Sequence, residues 1–127
     1  MNSLLDTHTL IWFINGDKET SDKTKIEIET KPERNYVSIA SIWEIAIKIS
    51  IGKLELKTSF ENFINQIEIN SFQILPVPTT DALTIAILPF HHRHPFDRMI
   101  ITQAKNNNLK VLTKDIIFDE YDVKILW

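Results

Sequence analysis

The chain has 127 residues and a formal net charge of −3, and 43% of its residues are hydrophobic against 24% charged, which suits one compact globular domain over residues 1–127. It has no cysteine and only two glycines, which excludes thiol nucleophiles, disulfides, thiolate zinc sites and glycine-rich phosphate loops. No apolar run is long enough to span a membrane and no signal peptide is recognised, so we expect a cytoplasmic protein without membrane contact.

Short strand-like runs alternate with helical patterns along the first half of the chain. NSLLD is predicted to form a buried strand ending at Asp6, followed by a helix from Thr7 to Asn15 that stops at Gly16. The polar stretch 17–34 holds six acids and five bases, which is typical of a solvated helix and loop. NYVSI is predicted to form a second strand, and the helix after it begins near Ser38 or Ser41 and ends near Gly52.

The second half continues the alternation. Ser59 is a candidate N-cap for a helix with one apolar face, made of Phe60, Phe63, Ile64 and Ile67. The predicted strand FQILPV, a short helix over 80–88, a helix over 95–107 and the strands KVLTKD and VKILW complete the chain. Strands separated by helices predict an α/β fold, a three-layer α/β/α sandwich with a central, mainly parallel sheet.

Four acidic residues from distant segments are predicted to meet at one edge of this sheet. Asp6 and Asp115 end strand-like runs, while Glu44 and Asp97 lie in the first turns of helices. Sites in such sheets form outside the carboxyl ends of the strands. Two carboxylates ~6 Å apart repel by roughly 3 kcal/mol at an effective dielectric of ~20, so a cluster favours a bound cation. Oxygen ligands suit Mg²⁺ or Mn²⁺, which would hold a phosphate and activate water.

Each acid also has a purely structural interpretation. Asp6 and Asp115 could cap the helical turns that follow them, and Asp97 would favour a helix N-terminus through the helix dipole. Ser41 and Glu44 have the spacing of a capping box. The residues alone leave both interpretations open.

Four blocks of sequence resemble PIN-domain nucleases and, among them, toxins of VapC type. They are LLDTHTLIW, VSIASIWEIAIKISIGKL, HHRHPFDRMIITQA and VLTKDIIFDEYDVKILW, in order and over nearly the whole chain. The resemblance implies a PIN-like fold and a metal-dependent endoribonuclease with Asp6, Glu44, Asp97 and Asp115 as its acidic pocket. Mg²⁺ would bind the scissile phosphate and lower the pKa of a water that Asp6 or Glu44 orients or deprotonates. The resemblance also implies a homodimer and a cognate antitoxin.

Further residues are candidates for contacts with the RNA or with the acids: Thr7, Lys48, Arg93, Arg98 and Thr113. Lys48 either pairs with Glu44 one turn earlier or reaches a substrate phosphate. Arg98 is expected to serve the RNA backbone, a dimer contact or a surface ion pair, and Arg93 to lie in a loop at the rim. The hydroxyls of Thr7 and Thr113 are expected to hold waters or carboxylates. Trp12 and Trp43 are expected to pack in the core rather than stack on bases.

The segment HHRHPFDR is predicted to lead into the helix that carries Asp97. Pro95 suits the first helical position, which makes His94 the N-cap. Related VapC-type sequences often have aspartate in place of His94, so His94→Asp is expected to raise stability by about 0.5–1 kcal/mol and to leave cleavage largely intact. His91 and His92 are adjacent and would point apart in an extended segment, which argues against a zinc site.

Two other functions remain open. A catalytically degenerate PIN domain would bind RNA or a partner protein without cutting. A phosphoryl-transfer enzyme would use Asp6 as its nucleophile, but His8 stands where haloacid-dehalogenase-like enzymes have a second aspartate.

Overall fold

The computed structural model describes all residues, 1–127, and five short strands form one sheet in it. They are β1 (Ser3–Leu5), β2 (Asn35–Ser38), β3 (Gln73–Leu75), β4 (Lys110–Leu112) and β5 (Ile125–Leu126). The strand order is β3-β2-β1-β4-β5, and every neighbouring pair is parallel. The parallel sheet predicted from the alternating pattern is therefore confirmed, with β1 at its centre.

Helices connect the strands. They are α1 (Thr7–Asn15), α2 (Asp22–Thr30), α3 (Ile39–Ser50), α4 (Phe60–Ile69), α5 (Thr79–Ala86) and α6 (Pro95–Asn107), with 3-10 turns at Pro32–Arg34 and Ile116–Tyr121. The bounds of α1 and α6 are those predicted, and α5 is slightly shorter than predicted. None of these helices has the length and apolar character needed to cross a membrane.

Local chemistry explains where the helices start and stop. Ser38 caps α3 by accepting the backbone N–H of Ala40 at 3.1 Å. Ser41 consequently lies inside α3, so the capping box proposed for Ser41 and Glu44 does not form, and that alternative is wrong. Gly16 ends α1 at φ 66°, a left-handed conformation that glycine adopts without strain.

The sheet is apolar on both faces, as expected for parallel strands covered by helices. Leu4 and Leu5 alternate across β1 and enter opposite cores. Leu4 packs in a cluster with residues of α6 and the second 3-10 turn, whereas Leu5 packs with residues of α1, α3 and α4. This three-layer arrangement brings the carboxyl ends of the strands, and the residues that follow them, to one edge.

Candidate metal centre

Asp6 lies at the middle of that edge, directly after the central strand. Its side chain is buried, with 4% of the residue exposed. Oδ1 accepts the backbone N–H of Thr9 at 2.8 Å, and Oδ2 accepts the hydroxyl of Thr113 at 2.5 Å. Burial raises the pKa of Asp6 above its ordinary value, against the hydrogen bonds from Thr113 and Thr9. Asp6 therefore caps α1 and also holds a buried carboxylate at the edge.

Glu44 projects from α3 and is buried as deeply as Asp6. Its Oε1 accepts the hydroxyl of Thr7 at 2.7 Å. Lys48 Nζ lies 2.9 Å from Oε2 and His94 Nε2 lies 3.5 Å from it, but neither contact has hydrogen-bond geometry. Oε2 is thus a buried carboxylate oxygen that is balanced by the Lys48 ammonium rather than by a well-aligned hydrogen bond.

Asp97 is the third residue of α6, and two histidines contact its carboxylate. His92 Nε2 lies 3.3 Å from Oδ2, and His94 Nδ1 lies 3.3 Å from Oδ1. Burial is the main cause of a raised pKa of Asp97; the two histidines act against it, and the charge of Asp6 adds to it. The charge of Asp6 therefore disfavours the ionised form of Asp97.

The His94 ring lies between Glu44 and Asp97. Its Nδ1 accepts the backbone N–H of Asp97 at 3.1 Å, so His94 is the N-cap of α6, as predicted. A ring nitrogen that accepts a hydrogen bond carries no hydrogen, so the N–H of this tautomer is on Nε2, the atom facing Glu44. The cap therefore places the Nε2 side of the His94 ring against Glu44, in a close contact without hydrogen-bond geometry.

Asp115 lies at the rim of the site and is exposed. The strand predicted to end near it stops at Leu112, and Asp115 instead caps the second 3-10 turn by accepting the N–H of Ile117 at 3.0 Å. Its own N–H donates to the Thr113 hydroxyl at 3.0 Å, and this hydroxyl donates in turn to Asp6. Asp115 and Asp6 also line one cavity of about 230 Å³.

His94 thus contacts both Glu44 and Asp97, while Thr7, the residue after Asp6, donates to Glu44, and Asp115 lines a cavity with Asp6. No three acidic or histidine side chains converge closely enough to hold an ion by themselves. Magnesium needs no such cage, because it keeps several waters and usually takes one or two carboxylates. The oxygen-only donors and the effect of the Asp6 charge on the pKa of Asp97 fit a hard divalent cation.

Three of the five supporting candidates contact the acids of the site. Thr7 and Thr113 hold carboxylates, and Lys48 forms an ion pair with Glu44, which was the simpler of its two interpretations. Arg93 is exposed in the loop before α6. His92 was not singled out, yet its Nδ1 lies 2.8 Å from the Tyr121 hydroxyl while its Nε2 faces the carboxylate of α6.

Arg98 corrects the prediction made for it. Only 4% of it is exposed, and its guanidinium donates to the carbonyl oxygens of Pro89 and Leu88 at 2.8 and 3.1 Å. The same group donates to the Tyr121 hydroxyl at 3.2 Å, and the Phe90 ring covers it at 3.9 Å. It is not available to RNA, to a second copy or to a surface ion pair, because it anchors the loop before α6. Arg98 lies three residues before the buried Ile101, a spacing that places both side chains on the same, inward face of α6.

The tryptophans also differ from the prediction of core packing. Trp43 is 63% exposed and packs edge-on against Phe96. Trp12 is half-buried and lines the cavity that Asp6 and Asp115 share. His8 lies two residues after Asp6 and Trp12 one helical turn after His8, a spacing that places both rings on the same side of α1.

The comparisons with known proteins agree with the fold described above. A family model for the PIN domain matches residues 3–124. Among solved structures, the fold is similar to DNA-bound VapBC from Salmonella typhimurium, with a TM-score of 0.73 and 20% identity over 99% of this chain and 97% of that one. It is also similar to FitAcB from Neisseria gonorrhoeae, with a TM-score of 0.72 and 20% identity over 98% and 96% of the two chains. A toxin–antitoxin complex from Klebsiella pneumoniae gives a TM-score of 0.68 and 17% identity over 98% and 96%. No curated protein matches the chain in sequence.

Proposed function

The chain belongs to the PIN-domain family, whose members are generally nucleases, and from this premise we propose that it is a metal-dependent endoribonuclease. We propose further that it is the toxin of a type II toxin–antitoxin system of VapBC kind. The observations that support the catalytic proposal are the buried carboxylates of Asp6 and Glu44 at the carboxyl edge of the sheet and the contacts of His94 with both Glu44 and Asp97.

Mg²⁺, with Mn²⁺ as a substitute, would be held by the carboxylates of Asp6, Glu44 and Asp97, with Asp115 at the rim. A bound cation of this type polarises a phosphate and lowers the pKa of a coordinated water. The hydrogen bonds from Thr9 and Thr113 keep the Asp6 carboxylate in one orientation.

The remaining residues of the site hold the other two acids. Thr7 and Lys48 position Glu44 on α3, and His92 positions Asp97 on α6. The Nε2–H of His94 points into the space between these helices, where it can donate to Glu44 or to a non-bridging phosphate oxygen.

An apolar surface supports the proposal of protein partners, a second copy of the chain and a cognate antitoxin. A cavity of about 510 Å³ lies next to α3 and α6, lined by Ile39, Trp43, Val77, Ile85, Phe96 and Met99 among others. Exposed apolar surface of this kind is usually covered by another protein. The similar structures named above include toxin–antitoxin complexes, which favours the same proposal.

A second candidate function, a degenerate domain that binds without cutting, is favoured by the absence of three converging metal-type side chains. The two candidates separate in a cleavage assay on a mixed pool of RNAs. The proposed enzyme cleaves in Mg²⁺ and stops in EDTA, and Asp97→Asn cleaves at least ~100-fold more slowly. Glu29→Gln, at an exposed acid on α2, is the matched control and cleaves like the wild type. Equal cleavage by Asp97→Asn and the wild type would show that the assigned pocket is wrong.

A further inference from the structure

The cavity beside Asp6 and Asp115 has an aromatic wall that the proposed chemistry does not use. Its other lining residues are His8, Trp12 and Lys114. Trp12 is half-buried, and His8 and Lys114 are exposed. At about 230 Å³ the cavity is smaller than the roughly 300–1,000 Å³ typical of drug-sized ligands, so it suits a single ring system.

Trp12 packs against two other aromatic rings. The ring of Trp127 packs edge-on against it, with centroids 5.8 Å apart. The ring of His8, one helical turn earlier, lies 5.6 Å from it at an interplanar angle of 35°. These contacts give the indole a fixed orientation while leaving part of it open to the cavity.

A positive charge accompanies the rings. Lys114 Nζ lies 5.9 Å from the Trp12 ring centre and 2.8 Å from a carboxylate oxygen of Glu19. Both members of that ion pair are about half exposed, so the pair is weak and a phosphate can replace the carboxylate. Asp6 and Asp115 repel phosphates at the same wall, which makes Lys114 the group there that attracts one.

Proteins bind unpaired nucleotides with an ordered aromatic ring that lies next to a positively charged side chain. Every base has a π-face, so stacking is tolerant of sequence, and it contributes to the binding of single strands. Bases inside a duplex are already stacked on one another and cannot reach such a ring without being extruded.

We propose that Trp12 and His8 form a stacking subsite for one unpaired RNA base next to the scissile phosphate, with Lys114 pairing with an adjacent phosphate. This inference rests on the proposed function, and it assigns the contact with one unpaired base to Trp12 and His8. Trp12 is then a substrate-binding residue, and the base that it accepts influences which bond is cut.

Tryptophan fluorescence tests the subsite independently of cleavage. The chain has three tryptophans, so Trp43→Phe with Trp127→Phe leaves Trp12 as the only one. In an Asp97→Asn background with Mg²⁺, a single-stranded RNA decamer quenches this fluorescence with saturation, and the duplex of the same sequence does not. No change in Trp12 fluorescence at saturating single-stranded RNA would overturn the inference.

Affinity measurements on otherwise native chains complete the test. Trp12→Leu weakens RNA binding by about 5- to 150-fold, and Trp12→Phe recovers part of the loss. The exposed Trp43 provides the control, since Trp43→Leu changes affinity by less than about twofold. Lys114→Gln weakens binding and reduces its salt dependence, whereas Lys124→Gln, at the opposite edge of the sheet, does neither. Thermal melting identifies any variant that fails to fold.

Different results would overturn the stacking subsite and the nuclease proposal. If the wild type cleaves no RNA while Trp12 fluorescence still responds to single strands, the nuclease proposal is wrong and the subsite stands. If the wild type cleaves RNA in Mg²⁺ and folded Trp12→Leu binds and cleaves with unchanged KM, the subsite is wrong and the nuclease proposal stands.

Discussion

His94 Nε2 lies 3.5 Å from Glu44 Oε2, while Nδ1 of the same ring accepts the backbone N–H of Asp97 at 3.1 Å. One imidazole therefore caps α6 and connects it to α3, two helices that come from distant parts of the chain. The position predicted to be a helix cap is also a contact between two of the acids.

This contact changes the expectation for His94→Asp. Aspartate keeps a cap acceptor but adds a negative charge beside Glu44 and Asp97, which costs on the order of 1 kcal/mol without a cation. We expect the variant to be less stable than the wild type in EDTA and about 0.5–1 kcal/mol more stable in Mg²⁺. Urea unfolding under both conditions measures this, with His94→Asn as the uncharged control. A gain of the same size in EDTA would show that only the cap matters.

Asp6→Asn is expected to stabilise the folded protein at neutral pH. Burial raises the folded-state pKa of Asp6 above its unfolded value, so stability is greatest below the unfolded pKa and is lost as pH rises through the folded pKa. Asparagine does not ionise and therefore removes that loss. The melting temperature of the Asp6→Asn variant should be a few degrees above that of the wild type at pH 7. The difference should shrink as the pH approaches 4. If Asp6→Asn were less stable than the wild type at pH 7, the hydrogen bonds of the Asp6 carboxylate would stabilise the fold by more than the burial of its charge costs.

Lys48→Gln is expected to show that the buried Glu44 carboxylate requires a neighbouring positive charge. Without Lys48 the buried carboxylate loses the cation at 2.9 Å, and we expect about 1 kcal/mol less stability in EDTA. Bound Mg²⁺ should restore most of the loss, because it supplies a charge to the same carboxylate. Lys53→Gln, at an exposed lysine after α3, should show neither effect. Equal losses in EDTA and in Mg²⁺ would argue that the cation does not reach Glu44.

Arg98→Met is expected to act on stability rather than on substrate. The change leaves the carbonyl oxygens of Leu88 and Pro89 without their donor, and we expect unfolding free energy to fall by about 2–4 kcal/mol. Arg93→Met, in the exposed part of the same loop, should change it by less than ~0.5 kcal/mol. Chemical denaturation measures both. Unchanged stability together with weaker RNA binding would show that Arg98 contacts the substrate instead.

The features predictable from the sequence are those set by local chemistry and by the parallel topology. Pro95 after a histidine specifies the start of α6, and a buried run followed by Asp6 specifies the end of β1. Parallel strands share one carboxyl edge, which is why residues as distant as Asp6 and Thr113 could be expected near each other.

The features that could not be predicted depend on how loops fold back on the sheet. The hydroxyl of Tyr121 accepts the backbone N–H groups of His91 and His92, and neither contact has a local signature. The exposure of Trp43 depends on which face of α3 the neighbouring helices leave uncovered. Hydrophobic spacing alone cannot separate a core face from a face kept for a partner or a ligand.

Calorimetric titration with Mn²⁺ tests most directly whether the carboxylates of Asp6, Glu44 and Asp97 form a cation site. The account predicts saturable heat for the wild type, the same heat for Glu29→Gln, and binding at least ~10-fold weaker for Asp97→Asn. No metal-dependent heat in the folded wild type, or unchanged binding by Asp97→Asn, would contradict it.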